Sequence, residues 1–168
     1  MTGLTLSVGD GEPLFGLPIY ANSEHSFRFE VASPDDLEVR SGNSGRTSLS
    51  IGTLQIEIDV ERGEALFVWG LHPRQRWVLG NARPGEAQPG TVRVTSDGGL
   101  RRGVSIRVAD IGSWTTVHDP ESGWVRITAS PMTDDDEQVL IATGTILGLR
   151  LDCLNSVWLA PAFEGSEP

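Results

Sequence analysis

The stretch LQIEIDVERGEALFVWG, residues 54–70, predicts the fold class of the chain. Apolar and polar side chains alternate over residues 54–60, which is the period of a β-strand with one face turned to a core. Arg62–Gly63 supplies a turn, and ALFVW (65–69) continues as a strand that is apolar on both faces. A β-hairpin is therefore predicted. Its inward side chains are Leu54, Ile56, Ile58 and Val60, and its outward side chains are Gln55, Glu57 and Asp59.

The same alternation recurs along the rest of the chain, between clusters of Gly, Pro and Asp that are typical of turns. The other predicted strands are 4–8, 26–32, 91–95, 104–109, 114–118, 124–129, 138–144 and 156–161, with weaker candidates at 14–20 and 146–151. Ser33 and Pro34 predict one short helix over 33–40. The pattern predicts an all-β fold, an antiparallel β-sandwich or flattened barrel of roughly ten strands with at most one or two short helices.

Two more hairpins are predicted from turn residues. One joins 91–95 to 104–109 through Asp97–Gly99. In TTVHDPESGWVRI (115–127), a loop over Asp119–Gly123 places His118 opposite Trp124. His118, Trp124 and Arg126 then share a face with Trp114, Thr116 and Thr128, and the core face carries Thr115, Val117, Val125 and Ile127. Adjacent strand residues leave on opposite faces, so His118–Asp119 is expected to be a turn and not an acid–base pair.

The chain has 168 residues, which is enough for one domain and short for two. We expect a single β-rich domain over residues 1–163 and a frayed polar tail over 164–168. The opening residues lack a secretory signal, and no stretch reaches the roughly 18 apolar residues of a membrane span. All 13 basic residues are arginine, which indicates a GC-rich bacterial source. A bacterial cytoplasmic protein with no membrane partner is expected.

Several chemistries are excluded by residues that are missing. Without lysine there is no Schiff base and no P-loop lysine, so the glycine-rich stretch SGNSGRTS (41–48) is interpreted as a mobile loop. There is no GxSxG nucleophile motif. A metal site built from His25, His72 and His118, as in a cupin-like enzyme, remains an alternative. No catalytic residue, metal ligand or cofactor is predicted, and the chain is expected not to be an enzyme.

The net charge of −10 argues against duplex nucleic acid as a partner, because phosphate binding needs a positive surface. The acidic run 134–137 has two interpretations. It is either a solvated turn that shields the following strand or a surface that binds a basic protein. The predicted partner-binding residues are Asp134, Asp135, Asp136 and Glu137.

Positive charge is concentrated in one segment of this acidic chain. Residues 74–107 hold seven arginines and two acids, a net charge of +5, whereas the remainder holds six arginines and 21 acids, a net charge of −15. The arginines either pair with acids on neighbouring strands or bind an anionic ligand. Aromatic residues mixed with arginine favour binding. The predicted ligand-binding residues are Trp69, His72, Arg74, Arg76, Trp77, His118, Trp124 and Arg126.

Three functions follow from these features. The leading hypothesis is a non-catalytic protein-interaction module of the bacterial cytosol, for example an acidic immunity- or antitoxin-type inhibitor of a basic partner. The first alternative is a β-barrel or sandwich that binds a small anionic ligand through the Trp/His/Arg cluster at 69–77. The second alternative is a metal-dependent, cupin-like enzyme.

Overall fold

The computed structural model describes residues 3–108, 114–129 and 136–166. Within these ranges it has sixteen strands, one α-helix and one 3₁₀ turn. The strands are β1 (Leu4–Gly9), β2 (Gly16–Ala21), β3 (Ser26–Val31), β4 (Arg46–Ile51), β5 (Leu54–Asp59), β6 (Ala65–Leu71), β7 (Val78–Leu79), β8 (Gln88–Pro89), β9 (Thr91–Ser96), β10 (Ile106–Arg107), β11 (Thr115–His118), β12 (Val125–Thr128), β13 (Glu137–Ala142), β14 (Thr145–Arg150), β15 (Cys153–Leu159) and β16 (Ala162–Glu164). The helix α1 is Pro34–Ser41, and the 3₁₀ turn is Arg74–Arg76.

The strands form two seven-stranded sheets and one two-stranded ribbon. The first sheet has the order β10-β4-β5-β6-β3-β2-β16, the second has the order β7-β11-β12-β15-β14-β13-β8, and the ribbon pairs β1 with β9. Neither sheet closes on itself, so the molecule is an all-β sandwich, as predicted. The structure has more strands than the roughly ten predicted. Three of them, β7, β8 and β10, have only two residues each, which is too short to give an alternating pattern in the sequence.

Apolar side chains of both sheets meet in one buried cluster between them. Ile56 and Val68 come from the first sheet, and Leu147 and Val157 come from the second. Burial of each such side chain contributes about 1.5–3 kcal/mol to stability. A smaller cluster of Ala82, Ile146 and Trp158 is separate from this core.

The hairpin at 54–70 is confirmed, with one correction. Leu54, Ile56 and Ile58 are fully buried, as the alternation predicts. Asp59 was predicted to point outward but is fully buried. Its carboxylate accepts hydrogen bonds from the backbone N–H groups of Arg62 (2.6 Å) and Glu64 (3.1 Å). The carboxylate is buried because the turn exposes N–H groups that need an acceptor.

The predicted hairpin of 91–95 and 104–109 is wrong because its two strands pair with distant partners. The strand β9 pairs with β1 over six residue pairs, from Leu4–Ser96 to Gly9–Thr91. The strand β10 instead pairs in parallel with β4. Gly99 and Gly103, both with positive φ, lie in the intervening loop and allow the chain to turn from the ribbon to the first sheet.

The stretch 41–48 is not wholly a loop, because β4 begins at Arg46. Its inward side chains are Thr47, Leu49 and Ile51, all buried. The Thr47 hydroxyl donates to the Val104 carbonyl, which permits a polar residue on the core face. The alternation was obscured because threonine and serine occupy half of the strand.

The short helix α1 is confirmed, and Ser33 caps it as predicted. The Ser33 hydroxyl accepts the N–H of Asp36 (3.2 Å), and Pro34 occupies the first turn. At the other end, the Arg62 guanidinium donates to the carbonyls of Val39 (3.1 Å) and Arg40 (2.9 Å). The described part of the chain contains no helix long enough to cross a membrane.

The hairpin at 115–127 forms, but its register differs from the prediction by one residue. His118 lies opposite Val125, not Trp124, because Asp119 itself closes the loop with a hydrogen bond from its N–H to the Trp124 carbonyl (3.0 Å). A one-residue shift exchanges the two faces of a strand. His118 and Thr116 are therefore buried, and Thr115 is exposed.

The chain's last described residues join the first sheet. The strand β16 pairs in parallel with β2. Within the segment predicted to fray, the Glu164 carboxylate pairs with Arg28 (2.7 Å), and the Asn22 amide donates to the Gly165 carbonyl (3.1 Å).

Candidate functional site

A cleft of about 450 Å³ lies where the turn between β4 and β5 meets the chain after β6 and the start of β11. This volume falls within the usual range of small-molecule sites, roughly 300–1,000 Å³. Three stretches of chain that are distant in sequence build its walls. The lining residues are Ile51, Gly52, Thr53, His72, Pro73, Gln75, Arg76, Trp77, Val78, Trp114, Thr115, Thr116 and Ile127.

Residues 72–79, here called the crossing segment, carry the chain from the first sheet to the second. The His72 N–H donates to the His25 carbonyl (2.7 Å), which fixes one end beside the turn between β2 and β3. The 3₁₀ turn follows Pro73, and its far end joins the second sheet where β7 pairs in parallel with β11. A proline before a tight turn restricts the backbone and places Gln75, Arg76 and Trp77 at the cleft.

His72 is a neutral, hydrogen-bonded group in the cleft wall. Its Nε2 lies 2.7 Å from the Thr116 hydroxyl on β11, and its backbone carbonyl accepts the Tyr20 hydroxyl (2.8 Å). Burial lowers the pKa of His72 from 6.5 to about 4. At neutral pH the ring therefore carries no charge, and its contact with Thr116 connects the crossing segment to the second sheet.

Behind the crossing segment lies a cluster of aromatic rings. The Trp77 ring stacks on Phe27, with ring centroids 5.8 Å apart, and meets Tyr20 edge-on at 4.8 Å. His118 contacts the same indole from β11, at 5.7 Å. Arg74 lies over the Trp77 ring at 5.4 Å and donates to the Asn22 side chain (2.9 Å). Arg74 and His118 thus hold Trp77 in place without lining the cleft.

Two tryptophans line the cleft wall with their indole N–H groups buried. The Nε1 atoms of Trp77 and Trp114 are buried, and neither has an acceptor among the described residues. A buried donor without a partner destabilises a protein by about 1–3 kcal/mol. Such groups in a native fold usually have an explanation, such as a ligand or an ordered water.

Arg76 supplies positive charge at the cleft. Its side chain is exposed, and no described carboxylate forms a salt bridge with it. In the segment 74–107, salt bridges between described residues involve only Arg83, with Asp119 (3.9 Å) and Glu121 (3.4 Å), and Arg93, with Glu64 (3.8 Å). Salt bridges between described residues thus account for two arginines of this basic segment, Arg83 and Arg93.

The eight predicted ligand-binding residues fall into three groups. His72, Arg76 and Trp77 line the cleft, and Arg74 and His118 support its wall. The other three lie elsewhere. Trp69 borders a separate open groove and donates to Glu57 (3.1 Å), Trp124 packs against the smaller apolar cluster, and Arg126 lies over Trp158 at 5.7 Å.

Sequence reasoning left Trp114 and Thr116 out of the predicted site. Both were assigned to the face of β11 opposite the core, and neither was linked to the segment around His72. The sequence does show that Thr116 and His118 are two residues apart on one strand, so they share a face in any register. The missing information was the crossing segment, which brings residues 72–77 against β11.

Asp119 organises the loop after β11, in agreement with its interpretation as a turn residue. Its carboxylate accepts the N–H groups of Ala82 (3.1 Å), Glu121 (3.0 Å) and Ser122 (3.3 Å). These hydrogen bonds, that of Ala82 first, lower the pKa of the Asp119 carboxyl. Asp119 thus has a structural role that explains its position without catalysis.

The predicted partner-binding acids are only partly described. Asp134 and Asp135 lie outside the described residues. The Asp136 side chain is buried, and its carboxylate accepts from Arg150 (2.9 Å) and Asn155 (2.8 Å). Glu137 is exposed at the start of β13. Of these two described acids, only Glu137 presents its charge to a partner.

His25, His72 and His118 do not assemble into a metal site. Among the residues that the structure describes, no three His, Cys, Asp or Glu side chains are placed to hold a metal ion. The His72 ring contacts Thr116, and His118 packs against Trp77 and Phe163.

Comparison with known proteins adds no relationship. No protein-family model matches the chain, and no curated protein matches its sequence.

Proposed function

We propose that this protein is a non-catalytic binding protein for a small anionic ligand, and that the cleft beside the crossing segment is its binding site. The observation that carries the proposal is the convergence of His72, Arg76, Trp77 and Trp114 from separate parts of the chain. Apolar walls with a few polar groups are typical of small-molecule sites.

The chemistry of the cleft favours an anion. Arg76 is the charged residue among those lining it, and its planar guanidinium can donate two parallel hydrogen bonds to a carboxylate. The neutral His72 ring adds no second charge. Ile51 and Ile127 provide an apolar floor that excludes water and strengthens an ionic hydrogen bond.

The arrangement favours binding over catalysis. A catalytic histidine is usually oriented by a carboxylate and placed beside a nucleophile. His72 instead has the Thr116 hydroxyl as its partner, and burial disfavours the protonated ring. Its geometry is that of a structural contact between the two sheets.

A fragment screen followed by nuclear magnetic resonance (NMR) tests this proposal. The library contains neutral, cationic and anionic fragments of similar size, and each hit is repeated with Arg76→Ala. Arg107→Ala is the matched control, because Arg107 is also exposed but lies on β10, outside the cleft lining. We expect anionic hits that weaken about tenfold in Arg76→Ala only. Anionic fragments that bind both variants equally, or a screen without anionic hits, would contradict the proposal.

A second candidate function is the acidic protein-interaction module. It is supported by α1, which buries none of its residues and presents Asp35 and Glu38 beside Val39, whose exposure is 73%. Binding of a poly-arginine peptide at low and high salt tests it, using Asp35→Asn/Glu38→Gln against wild type. We expect salt-sensitive binding that the double variant weakens. Binding that is absent, or independent of salt, would contradict this candidate.

A further inference from the structure

We infer that the ligand is an aryl carboxylate, a flat aromatic ring with one carboxylate at its edge. This inference rests on the proposed function and specifies the class of anion that the cleft accepts.

The aromatic part of the inference begins with Trp114. This indole is half-buried in the cleft wall, and it makes no ring contact with the described aromatic residues. By contrast, the other indole in the wall, Trp77, contacts four rings. Aromatic rings in proteins usually pack edge-to-face or offset-stacked against another ring. A Trp114 ring that borders a cavity and lacks a ring partner therefore fits a planar ligand.

The unused indole donors give the ligand a second feature. Trp77 and Trp114 lie on two walls of the same cleft, and each has a buried Nε1–H for which the described residues provide no acceptor. A carboxylate has two oxygens that accept several hydrogen bonds, so it can satisfy donors that a hydrocarbon leaves unpaired. Because these nitrogens are buried, pairing requires a small movement of the cleft wall.

The charge of the cleft selects the kind of anion. Arg76 brings one positive charge, and His72 is neutral because burial opposes its protonation. One guanidinium balances a carboxylate of charge −1, whereas a phosphate monoester carries nearly two negative charges at neutral pH. In the proposed pose the carboxylate lies between the exposed Arg76 and the two indole nitrogens, and the ligand's ring packs on the Trp114 ring beside Ile127.

Isothermal titration calorimetry with three probes tests the inference on the full chain. The probes are 2-naphthoate, its neutral analogue 2-naphthamide, and cyclohexanecarboxylate, which keeps the charge but lacks the aromatic ring. Each is titrated into wild type, Arg76→Ala, Trp114→Ala and Trp114→Phe. The matched controls are Arg101→Ala and Trp69→Ala, which remove an exposed arginine and a tryptophan outside the cleft lining. Circular dichroism establishes that each variant is folded.

We expect 2-naphthoate to bind about tenfold more tightly than either of the other probes. Arg76→Ala removes the preference over the amide, and Trp114→Ala removes the preference over cyclohexanecarboxylate. Trp114→Phe keeps an aromatic ring at this position, so it should retain most of the preference for 2-naphthoate over cyclohexanecarboxylate. We expect it to fold even if Trp114→Ala does not. The controls leave all three affinities unchanged.

The outcomes separate this inference from the proposed function. If cyclohexanecarboxylate binds as tightly as 2-naphthoate and Arg76→Ala weakens both, the aryl inference is overturned while the anionic site stands. If 2-naphthamide binds as tightly as 2-naphthoate, or Arg76→Ala changes nothing, both are overturned. Absence of binding by all three probes also overturns both.

Discussion

Replacement of Thr116 by valine removes one hydrogen bond that joins the two sheets at the cleft. Valine keeps the branched shape of threonine, and the β-propensities of the two residues are similar. The change therefore isolates the 2.7 Å contact between the Thr116 hydroxyl and His72 Nε2. Both groups are largely buried, so the His72 nitrogen would lose a partner that water cannot easily replace. We expect the free energy of unfolding to fall by about 1–3 kcal/mol.

The neighbouring residue provides a close control for this prediction. Thr115 lies on the same strand with its side chain exposed, so Thr115→Val should change stability by less than about 0.5 kcal/mol. Urea denaturation followed by tryptophan fluorescence measures both variants. Equal stability of Thr116→Val and wild type, or equal losses in the two variants, would show that the contact does not join the sheets as described.

Three further predictions concern ionisation and the turns. Because the pKa of His72 is lowered from 6.5 to about 4, the unfolded chain binds more protons in this range, and stability should fall by about 2 kcal/mol between pH 6.5 and 5. In His72→Gln this dependence of stability on pH should be weaker. An NMR titration of the His72 ring with a midpoint near pH 6.5 would refute the lowered pKa. Asp59→Ala leaves the N–H groups of Arg62 and Glu64 without their acceptor and should lower the free energy of unfolding by about 1–3 kcal/mol. Exposed Glu61→Ala should not, and equal urea midpoints for the two variants would contradict this prediction. Gly63 has φ 75°, and a methyl group added there would meet the Val94 carbonyl, so Gly63→Ala should lower the free energy of unfolding by more than about 2 kcal/mol in the same assay. Gly98→Ala should have little effect, because no described atom lies within 4 Å of its added methyl group. Similar losses in the two glycine variants would disprove the role of Gly63.

The sequence predicted those parts of the fold that depend on local pattern. Strict alternation identified the hairpin of β5 and β6, since one face of each strand must be buried. Sequence pattern could not show that β1 pairs with β9, because the pairing joins strands about ninety residues apart. The residues of β1 and β9 do not specify which strand each one pairs with.

Small differences in turn geometry explain the errors in detail. In the hairpin of β11 and β12, Asp119 was assigned to the loop, but it closes the ladder with Trp124. That single residue moved His118 from the outer to the inner face. Asp59 was assigned outward by alternation, yet the N–H groups of its own turn hold the carboxylate inside.

The candidate site was predictable only where its residues are close in sequence. His72, Arg76 and Trp77 attracted attention as a local mixture of aromatic and basic residues, and all three line the cleft. Trp114 and Thr116 join them only because the crossing segment passes between sheets. Trp69 was included for the same local reason but lies beside a different groove.

The measurement that tests the proposed binding site most directly is an NMR titration of the five tryptophan indole N–H signals with 2-naphthoate. The chain has five tryptophans and therefore five indole N–H signals, which single Trp→Phe variants assign. Trp77 and Trp114 lie in the cleft wall, and their N–H groups have no acceptor in the described part of the chain, so their signals should shift as the ligand binds. The signals of Trp69, Trp124 and Trp158 should remain unchanged. Shifts confined to these three, or no shift at saturating ligand, would contradict a binding site in the cleft.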